Sequence, residues 1–215
     1  MSLGALKFGF LVLALALTGC NSAKNLAANF IPTGKPGVEL QDIKSGTYQL
    51  DPEHSYLSFS FVHMGFSKTR ARFDKVEATL KFDNENPGQT SLIVTLDPAS
   101  INTNVAEFDE LLKSKDFFDV ENFPTASFTS SEVYFTSATS AEIPGTLTVH
   151  GVSAPAVFYV TLFGAGKNWV SGKYTLGFSG TATVNRSAFG LKNLLALTGD
   201  SVTIEFDAEF RVRTD

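Results

Sequence analysis

Apolar and polar side chains alternate strictly along most of this chain beyond residue 46. The clearest run lies near the end of the sequence, where Val202, Ile204 and Phe206 are separated by Thr203 and Glu205. Successive side chains of a β-strand point to opposite faces, so this alternation predicts strands with one buried and one solvated face. About eight such runs, divided by turn signals rich in glycine, proline and asparagine, predict an antiparallel sandwich or a closed barrel.

One segment departs from the period of two. Val105, Phe108 and Leu112 are spaced three and seven residues apart, which places them on one face of a helix. Asn104 stands at the position of an N-terminal helix cap. A short helix from about Val105 to Lys113 is therefore predicted between two strands.

Phenylalanine dominates the aromatic residues, with 20 Phe against one Trp. Phe at inward strand positions either fills a core or lines an apolar cavity, and an eight-stranded barrel can do either. Periodicity leaves both alternatives open. The strand positions that we predict to line an interior cavity are Leu57, Phe59, Phe61, Leu80, Phe82, Leu92, Val94, Tyr174, Phe178, Phe206 and Phe210.

The N-terminus has the layout of a secretory signal. Lys7 precedes an almost wholly apolar stretch, residues 8–17, which ends in Thr18-Gly19-Cys20. This stretch is too short for a transmembrane helix, which needs about 20 apolar residues. A cysteine after Leu-Thr-Gly resembles the bacterial lipobox, and that resemblance implies cleavage before Cys20 and acylation of this residue. The alternative is a chance cysteine beside an ordinary cleavage site.

These features predict three parts of the chain. Residues 1–19 form a lipoprotein signal peptide, residues 20–45 a lipidated N-terminus and flexible tether, and residues 46–215 the folded barrel. The tether is rich in Pro and Gly and has few apolar residues to offset its conformational entropy; a short helix at residues 24–30 is the alternative. The predicted location is the cell envelope, with a membrane anchor and a domain that faces the periplasm. Asn21 favours the outer membrane, by analogy with enteric lipoprotein sorting.

The charge pattern excludes one class of partner and places membrane attachment at Cys20. The net charge is −5, and no Lys or Arg cluster is longer than a pair. A nucleic-acid-binding surface would need a basic patch, so no nucleic-acid partner is predicted. A polybasic lipid-binding segment is missing for the same reason, which leaves the acyl chains of Cys20 as the predicted anchor.

Neither catalysis nor metal binding is predicted. The three histidines, His54, His63 and His150, show none of the close spacings typical of metal ligands. Ser55 beside His54 is not part of a nucleophile elbow. Asp116 and Asp119 could form an acid–base pair, but turn capping is the favoured role. The chain is therefore interpreted as a binding protein rather than an enzyme.

Several motifs occur in a specific order. These are His63-Met64-Gly65-Phe66-Ser67, Asp116-Phe117-Phe118-Asp119, Phe123-Pro124-Thr125-Ala126-Ser127-Phe128, Gly145-Thr146-Leu147-Thr148-Val149-His150-Gly151 and Asn185-Arg186-Ser187-Ala188-Phe189-Gly190. The set resembles the YceI family of bacterial lipocalin-like proteins. The resemblance covers residues 46–211, essentially the whole predicted barrel.

The resemblance implies an all-β fold: an eight-stranded antiparallel lipocalin-like barrel around a long apolar tunnel. It also implies binding of polyisoprenoids, isoprenoid quinones or similar amphiphilic lipids, a periplasmic or secreted location, and a possible homodimer. The matched motifs add Phe117, Phe118, Phe189 and Arg186 to the predicted ligand-binding residues. Arg186 has two alternatives: hydrogen bonds that close the barrel, or contact with a polar head-group at the tunnel mouth.

The helix departs from the family pattern. Family members usually carry Arg-Asp-x-His-Leu there, whereas this chain has Phe108, Asp109, Glu110, Leu111 and Leu112. The aspartate is retained, but the Arg and His positions are apolar. Three hypotheses follow: a lipid-binding carrier or buffer, which is favoured; a fully packed structural or stress-related envelope protein; and an enzyme that acts on such a lipid.

Overall fold

The computed structural model describes residue 38 and residues 40–213. The predicted signal peptide, Cys20 and most of the predicted tether lie outside the described residues. Short 3-10 turns join some of the strands. The regular elements are β1 (Gly46–His63), β2 (Ser67–Phe73), β3 (Val76–Phe82), β4 (Ser91–Leu96), β5 (Ile101–Asn102), α1 (Ala106–Lys113), β6 (Ala126–Ser130), β7 (Tyr134–Phe135), β8 (Ser140–Val149), β9 (Val152–Lys167), β10 (Tyr174–Asn185) and β11 (Thr198–Val212).

Eight of these strands form a closed antiparallel barrel, in agreement with the predicted fold class. Going round the ring, the order is β1, β3, β4, β6, β8, β9, β10 and β11, and β11 returns to pair with β1. Tyr48 pairs with Val212 at one end of this seam and His63 pairs with Thr198 at the other. Closure matters because it leaves no free edge among the ring strands.

The long first strand also supports a small extension of the sheet. Residues 46–49 of β1 pair with β3, whereas residues 57–63 pair with β2, which in turn pairs with β5. Opposite β11, the register of β1 shifts between Leu50 and Ser55. Such a bulge bends a strand and increases its twist, which lets one strand serve two neighbours on the same side.

The strand alternation predicted from the sequence is confirmed by the burial pattern. Along β9, Phe158, Val160 and Leu162 are buried, whereas Tyr159, Thr161 and Phe163, which alternate with them, are exposed. Buried side chains from the ring form two large clusters, and a third cluster collects around Phe59 beneath α1. The apolar interior is therefore continuous from one end of the barrel to the other.

The segment that leads into β1 packs against the barrel. Val38 is 8% exposed and Ile43 3% exposed, and both belong to the cluster that contains Tyr48 and Leu176. A 3-10 turn, Leu40–Asp42, lies between them. The sequence had assigned residues up to 45 to the flexible tether, but the structured region begins earlier because these apolar side chains find a place in the core.

Helix α1 lies close to its predicted position but begins differently. It runs from Ala106 to Lys113, and no side chain caps its first turn. The predicted cap, Asn104, instead adopts a left-handed backbone conformation with φ of 65°. The Asp109 carboxylate accepts hydrogen bonds from the Thr103 amide (2.7 Å) and hydroxyl (2.6 Å), which fixes the chain as it enters the helix. Among the described residues, no helix is both long and apolar enough to cross a bilayer.

Candidate functional site

An apolar cavity of about 330 Å³ lies inside the barrel. Every one of the eight ring strands contributes to its lining: Phe59, Leu80, Leu92, Phe128, Ile143, Phe158, Phe178 and Phe206 come from β1, β3, β4, β6, β8, β9, β10 and β11 in turn. The polar part of the lining consists mostly of a few serine and threonine residues. A cavity of this size and character suits a hydrocarbon chain.

Fourteen of the fifteen side chains predicted from the sequence to contact a ligand line this cavity. They are Leu57, Phe59, Phe61, Leu80, Phe82, Leu92, Val94, Phe117, Phe118, Phe178, Arg186, Phe189, Phe206 and Phe210. Their contact with a bound lipid stays a prediction, but their convergence on one space is a property of the fold.

Tyr174 is the exception, because it does not line the cavity. Its hydroxyl donates a hydrogen bond to the Asp42 carbonyl (3.3 Å), and the Lys44 ammonium lies 5.1 Å from its ring centre. Its ring also packs against Tyr48, with 6.5 Å between the ring centres. Tyr174 is the first residue of β10, where the segment before β1 covers it and excludes it from the interior.

Aromatic rings pack against one another at the end of the cavity beneath α1. Phe118, from the loop after α1, meets Phe59 and Phe73 edge to face, with ring centres 6.3 Å and 5.8 Å apart. The Phe118 amide donates to the Leu112 carbonyl (2.9 Å), so the helix end holds the loop in place. Edge-to-face contacts of this kind add to the stabilisation from burial alone.

The departure from the family pattern on α1 has a structural outcome. Phe108, at the usual Arg position, lines the cavity, and Leu111, at the usual His position, is exposed. The Asp109 carboxylate, which the family pattern retains, accepts its hydrogen bonds from Thr103. At this end of the barrel the chain therefore presents an apolar ring to the cavity where the family pattern has a charged side chain.

Arg186 uses all five of its N–H donors within the chain. Nε donates to the Gly199 carbonyl, one terminal nitrogen donates to the carbonyls of Leu191 and Asn193, and the other donates to the carbonyl and hydroxyl of Thr198. Burial lowers the pKa of Arg186, and the nearby Asp200 carboxylate opposes this shift. Of the two alternatives for Arg186, the structure shows the hydrogen bonds that hold the loop before β11. A head-group would have to displace one of them.

A polar cluster missed by the sequence reasoning lies at the bulge of β1. The carboxylate of Asp51, only 1% exposed, contacts His54 Nδ1 at 2.6 Å and forms an ion pair with Arg211. Together with Glu209, these side chains bring three potential metal ligands within 4.8 Å of one another. The guanidinium of Arg211 already supplies the positive charge beside Asp51, which favours a structural role in fixing the bulge. The spacing Asp51 to His54 gave no clue, because Arg211 and Glu209 come from the last strand.

The sequence reasoning also missed part of the cavity wall. Phe158, Val160 and Leu162 of β9 line the cavity. They were overlooked because Val157 and Tyr159, which point outwards, are apolar or aromatic too, so that the period of two is masked. The local signal was weak, because Thr161 is the only polar residue from Val157 to Phe163.

Comparison with known proteins identifies relatives of the whole barrel. The family of YceI-like domains matches residues 48–210. A protein called UPF0312 protein from Pseudomonas savastanoi is 37% identical over 172 residues, which is 79% of this chain and 88% of the relative. A Pseudomonas aeruginosa protein of the same name is 36% identical over 165 residues, which is 75% of this chain and 85% of the relative.

Solved structures share the fold. Burkholderia cenocepacia BcnA superposes with a TM-score of 0.66 and 27% identity over 74% of this chain and 98% of that one. The Campylobacter jejuni YCEI protein gives a TM-score of 0.64 and 26% identity, with coverage of 71% and 90%. A polyisoprenoid-binding domain from Saccharophagus degradans is only 15% identical, with a TM-score of 0.58 over 79% of this chain and 100% of that one. This last likeness shows the fold alone.

Proposed function

Because this chain belongs to the family of YceI-like domains, we propose that it binds an isoprenoid or similar amphiphilic lipid inside its barrel. The observation that carries the proposal is the apolar cavity lined by all eight ring strands. Burial of a hydrocarbon chain there contributes about 25 cal/mol for each Å² removed from water. The Saccharophagus degradans domain named as polyisoprenoid-binding shares this fold, so the fold is compatible with a ligand of that class.

The lining favours a ligand whose buried part is hydrocarbon. Among the described residues that line the cavity, Arg186 is the only arginine, and its donors are in use. The position before Asp109 is a phenylalanine rather than an arginine. Burial of a charged head-group without a partner would cost several kcal/mol, so we place the head of the lipid at the solvent end of the cavity. The protein then acts as a carrier or buffer rather than as an enzyme.

We further propose that Cys20 is acylated and anchors the domain to a membrane of the cell envelope, facing the periplasm. Support comes from the signal-like sequence before Cys20 and its lipobox. Two or more acyl chains give stable anchoring, whereas one gives only marginal binding. A binder of water-insoluble lipids gains from being held near the bilayer that supplies or receives them.

Two neighbouring positions on β4 test the cavity directly. Val94 lines the cavity, while Ile93 points outwards and is 49% exposed. We expect the indole of Val94→Trp to fill part of the cavity and to lower the amount of bound prenyl lipid, co-purified or added, at least about tenfold. The reason is that the lipid loses an apolar contact area comparable to that of one buried side chain. Native mass spectrometry and lipid extraction measure this amount.

Ile93→Trp is the matched control, since it adds the same indole to the same strand on the solvated face. Its bound lipid should equal that of the parent protein. Equal lipid in both variants, with both folded, would contradict a ligand in the barrel. A parent protein that neither co-purifies with a prenyl lipid nor takes up an added one would favour the fully packed structural alternative.

The anchor is tested by Cys20→Ser. Acylation needs the thiol, so we expect the variant to move from the membrane fraction to the soluble fraction after a carbonate wash. Asn21→Ser, which leaves the thiol in place, serves as the control and should remain with the membranes. If Cys20→Ser stays in the washed membranes, the lipobox interpretation is wrong.

A further inference from the structure

Two loops at the end of the barrel where β1 terminates lie side by side and expose apolar side chains. The Met64 amide, in the turn between β1 and β2, donates to the Leu197 carbonyl (2.8 Å) in the loop before β11. We call residues 62–69 and 190–199 together the rim. Its exposed apolar side chains are between 44% and 87% exposed: Val62, Met64, Phe66, Leu194 and Leu197.

Two of the exposed apolar residues of the rim, Met64 and Leu194, stand at backbone positions that do not favour apolar side chains. Met64 and Leu194 have φ angles of 49° and 58°, in the left-handed region that favours glycine and asparagine. Turn geometry does not account for Met or Leu at these positions, and about half of each residue is left in solvent. Backbone strain of this kind clusters at functional sites.

The rim is continuous with the cavity. Leu191 and Leu194 line the cavity, and Leu194 is also exposed on the outer surface. Arg186 donates to the carbonyls of Leu191 and Asn193, and the side-chain amide of Asn193 donates to the Asp116 carbonyl beside the aromatic end of the cavity. The loop that carries the apolar side chains is thus fixed at an edge of the cavity.

The charge of the rim differs from that of the whole chain. Residues 62–69 and 190–199 contain Lys68 and Lys192 and no Asp or Glu, although the chain has 22 acidic and 17 basic residues. Both lysines are exposed. Basic residues beside exposed Phe, Met and Leu suit the surface of an anionic bilayer. A second copy fits less well, since a symmetric contact would bring together two rims that both carry positive charge.

We propose that the rim docks on an anionic lipid bilayer, with the cavity edge at Leu194 against the membrane. Phe66, at 87% exposure, and Met64 enter the interface between head-groups and acyl chains, while Lys68 and Lys192 contact anionic head-groups. Docking goes beyond the proposed function, because it does not depend on what the cavity holds. If the cavity takes a lipid, this edge is where the lipid passes between protein and bilayer.

The chain offers a simple probe, since Trp169 is its only tryptophan. In the full chain, Trp169→Phe combined with Phe66→Trp moves the single indole to the rim. We add this protein to vesicles of phosphatidylcholine with and without phosphatidylglycerol, some of them carrying brominated acyl chains. We expect a blue-shifted emission and bromine quenching with the anionic vesicles. Trp169 in the parent chain reports on the turn between β9 and β10 under the same conditions.

Three groups of substitutions make the test specific. Met64→Asn and Leu194→Asn relieve the backbone while removing apolar surface, so each should leave the urea midpoint unchanged or higher but weaken docking by about tenfold. Lys68→Gln and Lys192→Gln should each weaken docking to anionic vesicles by about fivefold and have little effect with phosphatidylcholine alone. Lys81→Gln, on β3 away from the rim, is the charge control. It should change docking neither to anionic vesicles nor to vesicles of phosphatidylcholine alone.

Several outcomes overturn the proposal. These are no quenching at position 66, quenching that the asparagine variants leave unchanged, and quenching that does not need phosphatidylglycerol. A concentration-dependent self-association that the asparagine variants abolish, without vesicle contact, would assign the rim to a second copy instead. Lipid extraction from the same samples tests the cavity separately, so that failure of docking and failure of lipid binding are distinguishable.

Discussion

Arg186→Met is expected to lower the free energy of unfolding by about 3–5 kcal/mol, the largest effect of any single substitution considered for this fold. Arg186 is 9% exposed and donates five hydrogen bonds: two to the loop before β11, at Leu191 and Asn193, and three to Thr198 and Gly199, the first two residues of β11. Methionine keeps the apolar stem but leaves the carbonyls of Leu191, Asn193 and Gly199 without this donor. Each buried polar group that loses its partner costs about 1–3 kcal/mol, and water compensates only some of them. Urea denaturation measures the change.

Arg70→Met is the matched control. Arg70 forms an ion pair with Glu205 at 2.7 Å, but its side chain is 60% exposed, so its loss should cost less than about 1 kcal/mol. Arg186→Lys should fall between the two, because an ammonium has three donors and no planar fork. An Arg186→Met variant no less stable than Arg70→Met would show that the hydrogen bonds of this loop contribute little.

Gly145→Ala is expected to cost about 3 kcal/mol and to reduce lipid binding as well. A Cβ at this position would lie 2.4 Å from the Thr129 carbonyl oxygen and 2.5 Å from the Phe128 ring. Gly145 pairs with Ser130 between β6 and β8, so the backbone cannot retreat without breaking the ladder. Phe128 lines the cavity, and its displacement would change the shape available to a ligand.

Gly88→Ala is the control for this second prediction. Nothing lies within 4 Å of a Cβ at residue 88, which is in the 3-10 turn Pro87–Gln89. We expect no loss of stability there, or a small gain from a more restricted unfolded chain. Thermal or urea unfolding and lipid extraction measure both variants. Equal stability and equal bound lipid in Gly145→Ala and Gly88→Ala would contradict the prediction.

The sequence was sufficient for the ring of strands and for part of the cavity wall. Strict alternation places a residue on one face of a sheet, and inward positions such as Phe59 and Phe206 then share an interior once the sheet closes. The prediction that Tyr174 lines the cavity was wrong, because alternation does not indicate what covers the end of a strand. In the structure the segment around Asp42 and Lys44 takes that place.

Contacts between distant parts of the chain could not be obtained from local patterns. The cluster of Asp51, His54 and Arg211 depends on the register of the first strand against the last, including its bulge. The start of the helix shows a related limit. The local sequence favoured Asn104 as the cap, but hydrogen bonds from Thr103 to the Asp109 carboxylate fix the chain there instead. In both places, tertiary packing decides among locally reasonable alternatives.

The seam between β1 and β11 has a consequence for the order of folding. These strands are the first and the last of the barrel, and Arg213 still bonds back to Thr47 beyond the final pair. Because β11 follows every other strand of the barrel in the chain, its seam with β1 is the last pairing that can form as the chain emerges from its N-terminus. Until then the domain is an open sheet with an unpaired edge and an uncovered apolar face, the state most prone to aggregate. High contact order makes the final step slow. The closed cavity exists only once β11 has paired with β1, and loss of β11 would open the barrel.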